Sequence, residues 1–163
     1  MKRVLFIGFL LLALTSNANP EILNVDSNPL ELTIIEPTEE WQVYDTYDGV
    51  KVEYRMTRCG DGVELREQNL MLFRFTNTSS DVKTISYRFK MFRDGECYRC
   101  DQIMKDEYQH EITLLAGASV EGDCSIETVR NQALHIHDNY IKHVPGMANT
   151  RLTDFELVDV TVK

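Results

Sequence analysis

The chain has 163 residues, 26 acidic against 17 basic side chains, a formal net charge of −9, four cysteines and one tryptophan. A surface that negative repels nucleic-acid phosphates and anionic lipid headgroups, so nucleic acid is excluded as an expected partner. One domain is the expectation for a chain of this length.

Residues 1–18 have the order of a secretory signal peptide: Lys2 and Arg3, an apolar run from Val4 to Leu14, then the small residues Ser16, Asn17 and Ala18. The run is shorter than the roughly 20 residues a membrane span needs, and no other stretch approaches that length, so no membrane anchor is expected. Cleavage after Ala18 removes two cations and leaves 145 residues of net charge about −11. Asn19 and Pro20 supply no cysteine for lipid attachment. Residues 19–163 are therefore expected as one secreted or periplasmic domain.

Period-two alternation runs through the rest, as in half-buried strands. Leu30, Leu32 and Ile34 alternate ahead of Pro37, and Val50, Val52, Tyr54 and Met56 ahead of the turn Cys59-Gly60-Asp61-Gly62. Met71, Phe73 and Phe75 share a face, Asn77 to Asp81 turns the chain, and Ile85, Tyr87, Phe89 and Met91 share a face on the return, which predicts a hairpin. Arg93-Asp94-Gly95-Glu96 ends it. Ile112 and Leu114 mark another strand up to Ala116-Gly117, and Val158, Val160 and Val162 a last one. Between 126 and 141 helical and strand spacings compete, and a strand over about 133–141 fits the all-β order better.

About seven strands joined by short turns predict an all-β fold, a single antiparallel two-sheet sandwich of immunoglobulin-like type. The stretches Leu72 to Asn77, Leu114 to Ser119 running on to Gly122-Asp123-Cys124, and Leu152 to Leu157 resemble strand and turn signatures of small secreted immunoglobulin-like or fibronectin-like sandwich proteins, many of them bacterial. The resemblance implies a fold and no activity. Trp41 departs from the antibody pattern, because it precedes the central strands instead of lying between two bonded cysteines.

Up-and-down strand order gathers Cys59, Cys97, Cys100 and Cys124 at one pole, and an even count in an exported chain predicts two disulfides. Longer closed loops remove more unfolded-state entropy, which favours Cys59 and Cys124 each bonding one member of the 97/100 pair; Cys97–Cys100 with Cys59–Cys124 is the alternative. A redox dithiol at Cys97-Tyr98-Arg99-Cys100 is disfavoured by its place between strands, since such motifs sit where a strand leads into a helix.

His135 and His137 fall on one face of a strand, with His143 and Asp138 nearby, the spacing of a candidate metal site. Trp41, Val43 and Tyr47 alternate onto one expected face, where Trp41 and Tyr47 could meet a glycan or protein partner. Asp45, Asp48, Asp94 and Glu96 fall in Asp-Gly turns, which explain them without calcium. Gly117-Ala118-Ser119-Val120-Glu121-Gly122 has Glu121 where a nucleophile elbow needs glycine. Asn77-Thr78-Ser79 is an acceptor sequon on the expected turn. No cofactor is implied. The expected function is a non-catalytic binding or accessory module for a protein or glycan ligand, with a metal-binding protein and a secreted enzyme as alternatives.

Overall fold

The computed structural model describes residues 38, 40–60, 67–124, 133–142, 145–146 and 149–163. The expected signal peptide at 1–18, the expected strand at 30–34 and His143 lie outside the described residues. Nine strands are described: β1 Gln42–Tyr47, β2 Val50–Cys59, β3 Gln68–Asn77, β4 Lys83–Arg93, β5 Glu96–Tyr98, β6 His110–Leu114, β7 Ser119–Glu121, β8 His135–Tyr140 and β9 Leu152–Val162. The count exceeds the expected seven because β5 and β7, three residues each, are too short to show alternation. Of the stretch 126–141 with competing spacings, residues 126–132 lie outside the described residues, and His135–Tyr140 form strand β8, within the expected strand at about 133–141.

All pairings are antiparallel. In the first sheet β3 is central, with β2 along its whole length on one side and β7 and β8 sharing the other. In the second, β4 is central, with β9 on one side and β5 and β6 sharing the other. The two sheets share one core in which Phe73, Phe75, Ile85 and Tyr87 are fully buried. Side chains of a strand alternate between its faces, so the partners left over on the first sheet's outer face are Cys59, Leu70, Leu72 and Arg74.

The expected β3–β4 hairpin is corrected: the two strands lie in different sheets. Their apolar faces meet across the core, with ring centroids 4.7 Å apart for Phe73 and Phe89 and 5.0 Å for Phe75 and Tyr87. Face-to-face contact buries both aromatic rows, each ring being worth about 1.5–3 kcal/mol; edge pairing would have left the rows side by side on a single face.

Residues 78–82 therefore form an arch between sheets, and Asn77 holds it. Its side chain is fully buried. Nδ2 donates to the carbonyls of Asp81 at 2.6 Å, Leu115 at 3.1 Å and Leu114 at 3.2 Å, while Oδ1 accepts from the Ser79 amide at 3.0 Å and hydroxyl at 2.7 Å. An amide so committed and so buried does not present itself as a sequon acceptor in the folded chain.

At the opposite pole Arg93 clasps the sheets together. Its guanidinium donates to the carbonyls of His137, of Asp138 at 2.7 Å and of Thr150 at 3.3 Å. Asp138, 1% exposed, accepts from the Leu152 amide at 2.6 Å and Arg151 Nε at 3.2 Å.

The disulfides are Cys59–Cys124 and Cys97–Cys100, which corrects the favoured cross-pairing. Cys59 lies on the outer face of the first sheet, against Leu70, Leu72 and Trp41. Cys97 pairs with Phe92 on the second sheet, one position out of phase with the core-facing Met91. The cysteines share a pole but occupy opposite outer faces, with the core between them. The 65-residue separation of Cys59 and Cys124 still removes roughly 4 kcal/mol of unfolded-state entropy in the loop-closure model.

Asn77→Ala strips the arch of its donor and acceptor and leaves buried carbonyls unpaired, at about 1–3 kcal/mol for a group of this kind. Urea titration is expected to show a loss of roughly 3 kcal/mol with no change in slope.

Candidate functional site: an open flank between the sheets

The two flanks of the layered structure differ. On one, β1 and β9 close together: the Leu157 amide donates to the Tyr44 hydroxyl at 3.0 Å, and the Tyr44 ring stacks on Phe155 at 5.1 Å. On the other, β6 and β7 are the last strands of their sheets among the described residues, and a groove of about 630 Å³ runs between them. His110, Ile112, Leu114, Val120, Ala133 and Leu134 line it. Leu115, at the top of the β6–β7 turn, is 67% exposed.

The edge of β6 has a definite hydrogen-bonding polarity. Thr84 exchanges both backbone bonds with Lys163, so its groups face the β9 side. Along an antiparallel strand the bonding direction alternates, so Lys83, Ile85 and Tyr87 bond toward β6, through Leu114, Ile112 and His110. The amides and carbonyls of Glu111 and Thr113 then point away from β4, and among the described residues β6 pairs with β4 alone. By the same parity Ser119 and Glu121 face outward on β7, whose central Val120 pairs with Phe75.

Below this edge the wall is firm. The Tyr87 hydroxyl donates to the Ala133 carbonyl. Phe73 accepts from the Gly122 amide at 2.9 Å and donates to the Leu134 carbonyl at 2.8 Å. Gly122 owes its identity to this approach: a Cβ there would stand 2.4 Å from the Leu134 oxygen. His110 lies between Tyr87 and Phe89, with ring centroids at 5.6 and 5.5 Å. Burial, with a smaller contribution from His135, holds its imidazole below the usual histidine range.

The other residues singled out by sequence assemble less. Trp41 and Tyr47 do not share a face, because a bulge between Val43 and Asp45 reverses the alternation. Trp41 packs on the outer face with Leu70 and Leu72, and the guanidiniums of Arg55 and Arg74 each stand 4.6 Å from its ring. Tyr47 packs against the inner core, and burial is the first cause of its phenol being pushed up to about 12.

His135 and His137 do share a face, opposite Leu72 and Leu70. Asp138 does not join them, since strand alternation puts it on the opposite, inner face, where it meets Arg151 and Leu152. Among the described residues no three His, Cys, Asp or Glu side chains converge as metal ligands do. Asp48 and Asp94 are turn residues with positive φ, 39° and 48°, each followed by glycine, as two-residue hairpin turns require. The structural role of Arg93 has no signal in the sequence, since beside Asp94-Gly95 it reads as part of a turn.

Comparison of the chain with family models, curated proteins and solved structures gave no match. The paired cysteines fit an oxidising, extracellular-type environment, and among the described residues no helix is long and apolar enough to cross a membrane.

His110 and His137 are both held below their ordinary value of 6.5, chiefly by burial. The unfolded chain therefore binds more protons than the native one once pH drops below about 6.5, and stability falls with acidification from there. Glu53, lowered first by its hydrogen bond from Arg74, contributes stability that is present above its ordinary 4.5 and lost as pH falls through its lower folded value. Thermal melts from pH 7.5 to 5 are expected to show a falling Tm, with a shallower fall in His110→Phe, which keeps the ring contacts and removes the titration.

Proposed function

We propose that this chain is an exported, non-catalytic binding module of immunoglobulin-like sandwich type, and that it takes an extended polypeptide segment along its open flank. The observation that carries the reading is an apolar groove beside a strand edge that has no backbone partner among the described residues. A strand laid beside β6 exchanges backbone bonds with Glu111 and Thr113, while every second side chain drops toward Ile112, Leu114 and Val120. Main-chain bonding supplies affinity and the groove supplies selectivity. The groove volume of about 630 Å³ accommodates a few apolar side chains.

Two antiparallel sheets on one core and the two disulfides support the sandwich reading. The charged start and apolar run of the first eighteen residues support export. A glycan reading has less support, as Trp41 already stacks with two guanidiniums and Tyr47 faces the other way.

Peptides selected by display on the purified protein test the proposal. Thr113→Pro removes an outward amide from an edge strand, a position where proline is tolerated. It is expected to weaken the selected peptides at least tenfold, about 1.4 kcal/mol, while the melt stays close to wild type. Equal affinity for the variant, or competition abolished by changing Trp41 instead, contradicts the reading.

A further inference from the structure

The two disulfides differ in which sulfur must be released: in Cys59–Cys124 the exposed member is Cys124, so attack there expels the thiolate of buried Cys59, whereas Cys97 is exposed and Cys100 half-buried. Cys59 is 3% exposed, packed with Leu70, Leu72 and Trp41. A thiolate released there would form in apolar surroundings, which raises thiol pKa and makes a poor leaving group. Cys97 lies on β5, whose three residues are all exposed, directly after the Asp94-Gly95 turn. Its bond to Cys100 closes a separation of 3 residues, against 65 for Cys59–Cys124, so the fold resists its opening far less.

Charges beside the pair are mixed, with Glu96 and Asp101 flanking it in sequence and Arg99 inside it. Arg99 lies between the two cysteines, exposed and with φ of 55°. The Arg99 guanidinium stands 5.0 Å from the Tyr98 ring, which keeps this cation at the loop. A cationic neighbour stabilises a thiolate as it leaves.

We propose that Cys97–Cys100 is a thiol-exchange site open to small-molecule thiols, while Cys59–Cys124 is the lasting structural bond. An incoming thiolate attacks Cys97 Sγ, forming a mixed disulfide as the Cys97–Cys100 bond breaks, and the electron pair leaves on Cys100 Sγ. A second thiol then attacks the mixed disulfide at the small-molecule sulfur. The products are the Cys97 and Cys100 thiols and the oxidised small disulfide, two electrons having passed from the two incoming thiols to the protein bond. Among the described residues no helix N-terminus adjoins the pair, so the loop acts as an acceptor of exchange and not as a thioredoxin-like catalyst.

The test incubates the purified protein with glutathione, quenches samples with N-ethylmaleimide over time and maps the labelled peptides. Cys97 and Cys100 are expected to label at least about tenfold faster than Cys59 and Cys124, with far-ultraviolet circular dichroism and the melt little changed at the end of the fast phase. The Cys97→Ser, Cys100→Ser double variant is expected to fold and to lose that phase alone. Equal rates for the two bonds, earlier opening of Cys59–Cys124, or resistance of Cys97–Cys100 under conditions that reduce an unstructured disulfide peptide each overturn the proposal.

Discussion

The contact of the β3 aromatic row with the β4 aromatic row is what the remaining architecture depends on. Both strands are central in their sheets and consecutive in sequence. Once Phe73 meets Phe89 and Phe75 meets Tyr87, the connection between the strands has to cross from one layer to the other. That crossing exposes backbone carbonyls to an apolar interior unless something satisfies them. The fully buried Asn77 amide does so, reaching also to Leu114 and Leu115 at the end of β6. One asparagine thereby ties the arch to the strand that borders the groove.

The same crossing accounts for the difference between the flanks. Each central strand carries a long neighbour on one side, β2 or β9, and two short strands on the other. The sides with long neighbours converge at β1 and β9 and are sealed by Tyr44, which stacks on Phe155 and accepts from Leu157. The sides with short neighbours converge at β6 and β7, where among the described residues two strand edges border the inter-sheet space without a further strand. Exposed strand edges invite pairing with other chains, and native folds shield them unless pairing serves a purpose. Here the open edge, the groove and the exposed Leu115 coincide.

Faces of strands were legible in the sequence and their partners were not. Alternation at Val50, Val52 and Met56, at Met71, Phe73 and Phe75, and at Ile85, Tyr87 and Phe89 marks residues that all enter the core. A five-residue turn at 77–81 serves a hairpin or an arch equally, and only tertiary contact decides between them. A single bulged residue, Tyr44, separates Trp41 from Tyr47 because strand parity has no tolerance for insertion. Up-and-down strand order gathers the cysteines at one pole, but loop entropy alone does not say on which outer face each one lies. The flank is not legible in the sequence because it consists of backbone direction, which no residue type signals.

Amide hydrogen exchange resolved residue by residue along β6 tests the central claim most directly. If β4 and β3 pack face to face and β6 ends its sheet, Ile112 and Leu114 exchange slowly while Glu111 and Thr113, between and beside them, exchange fast. Uniform protection across 110–114, or backbone contacts that place β3 beside β4 in one sheet, would contradict the account.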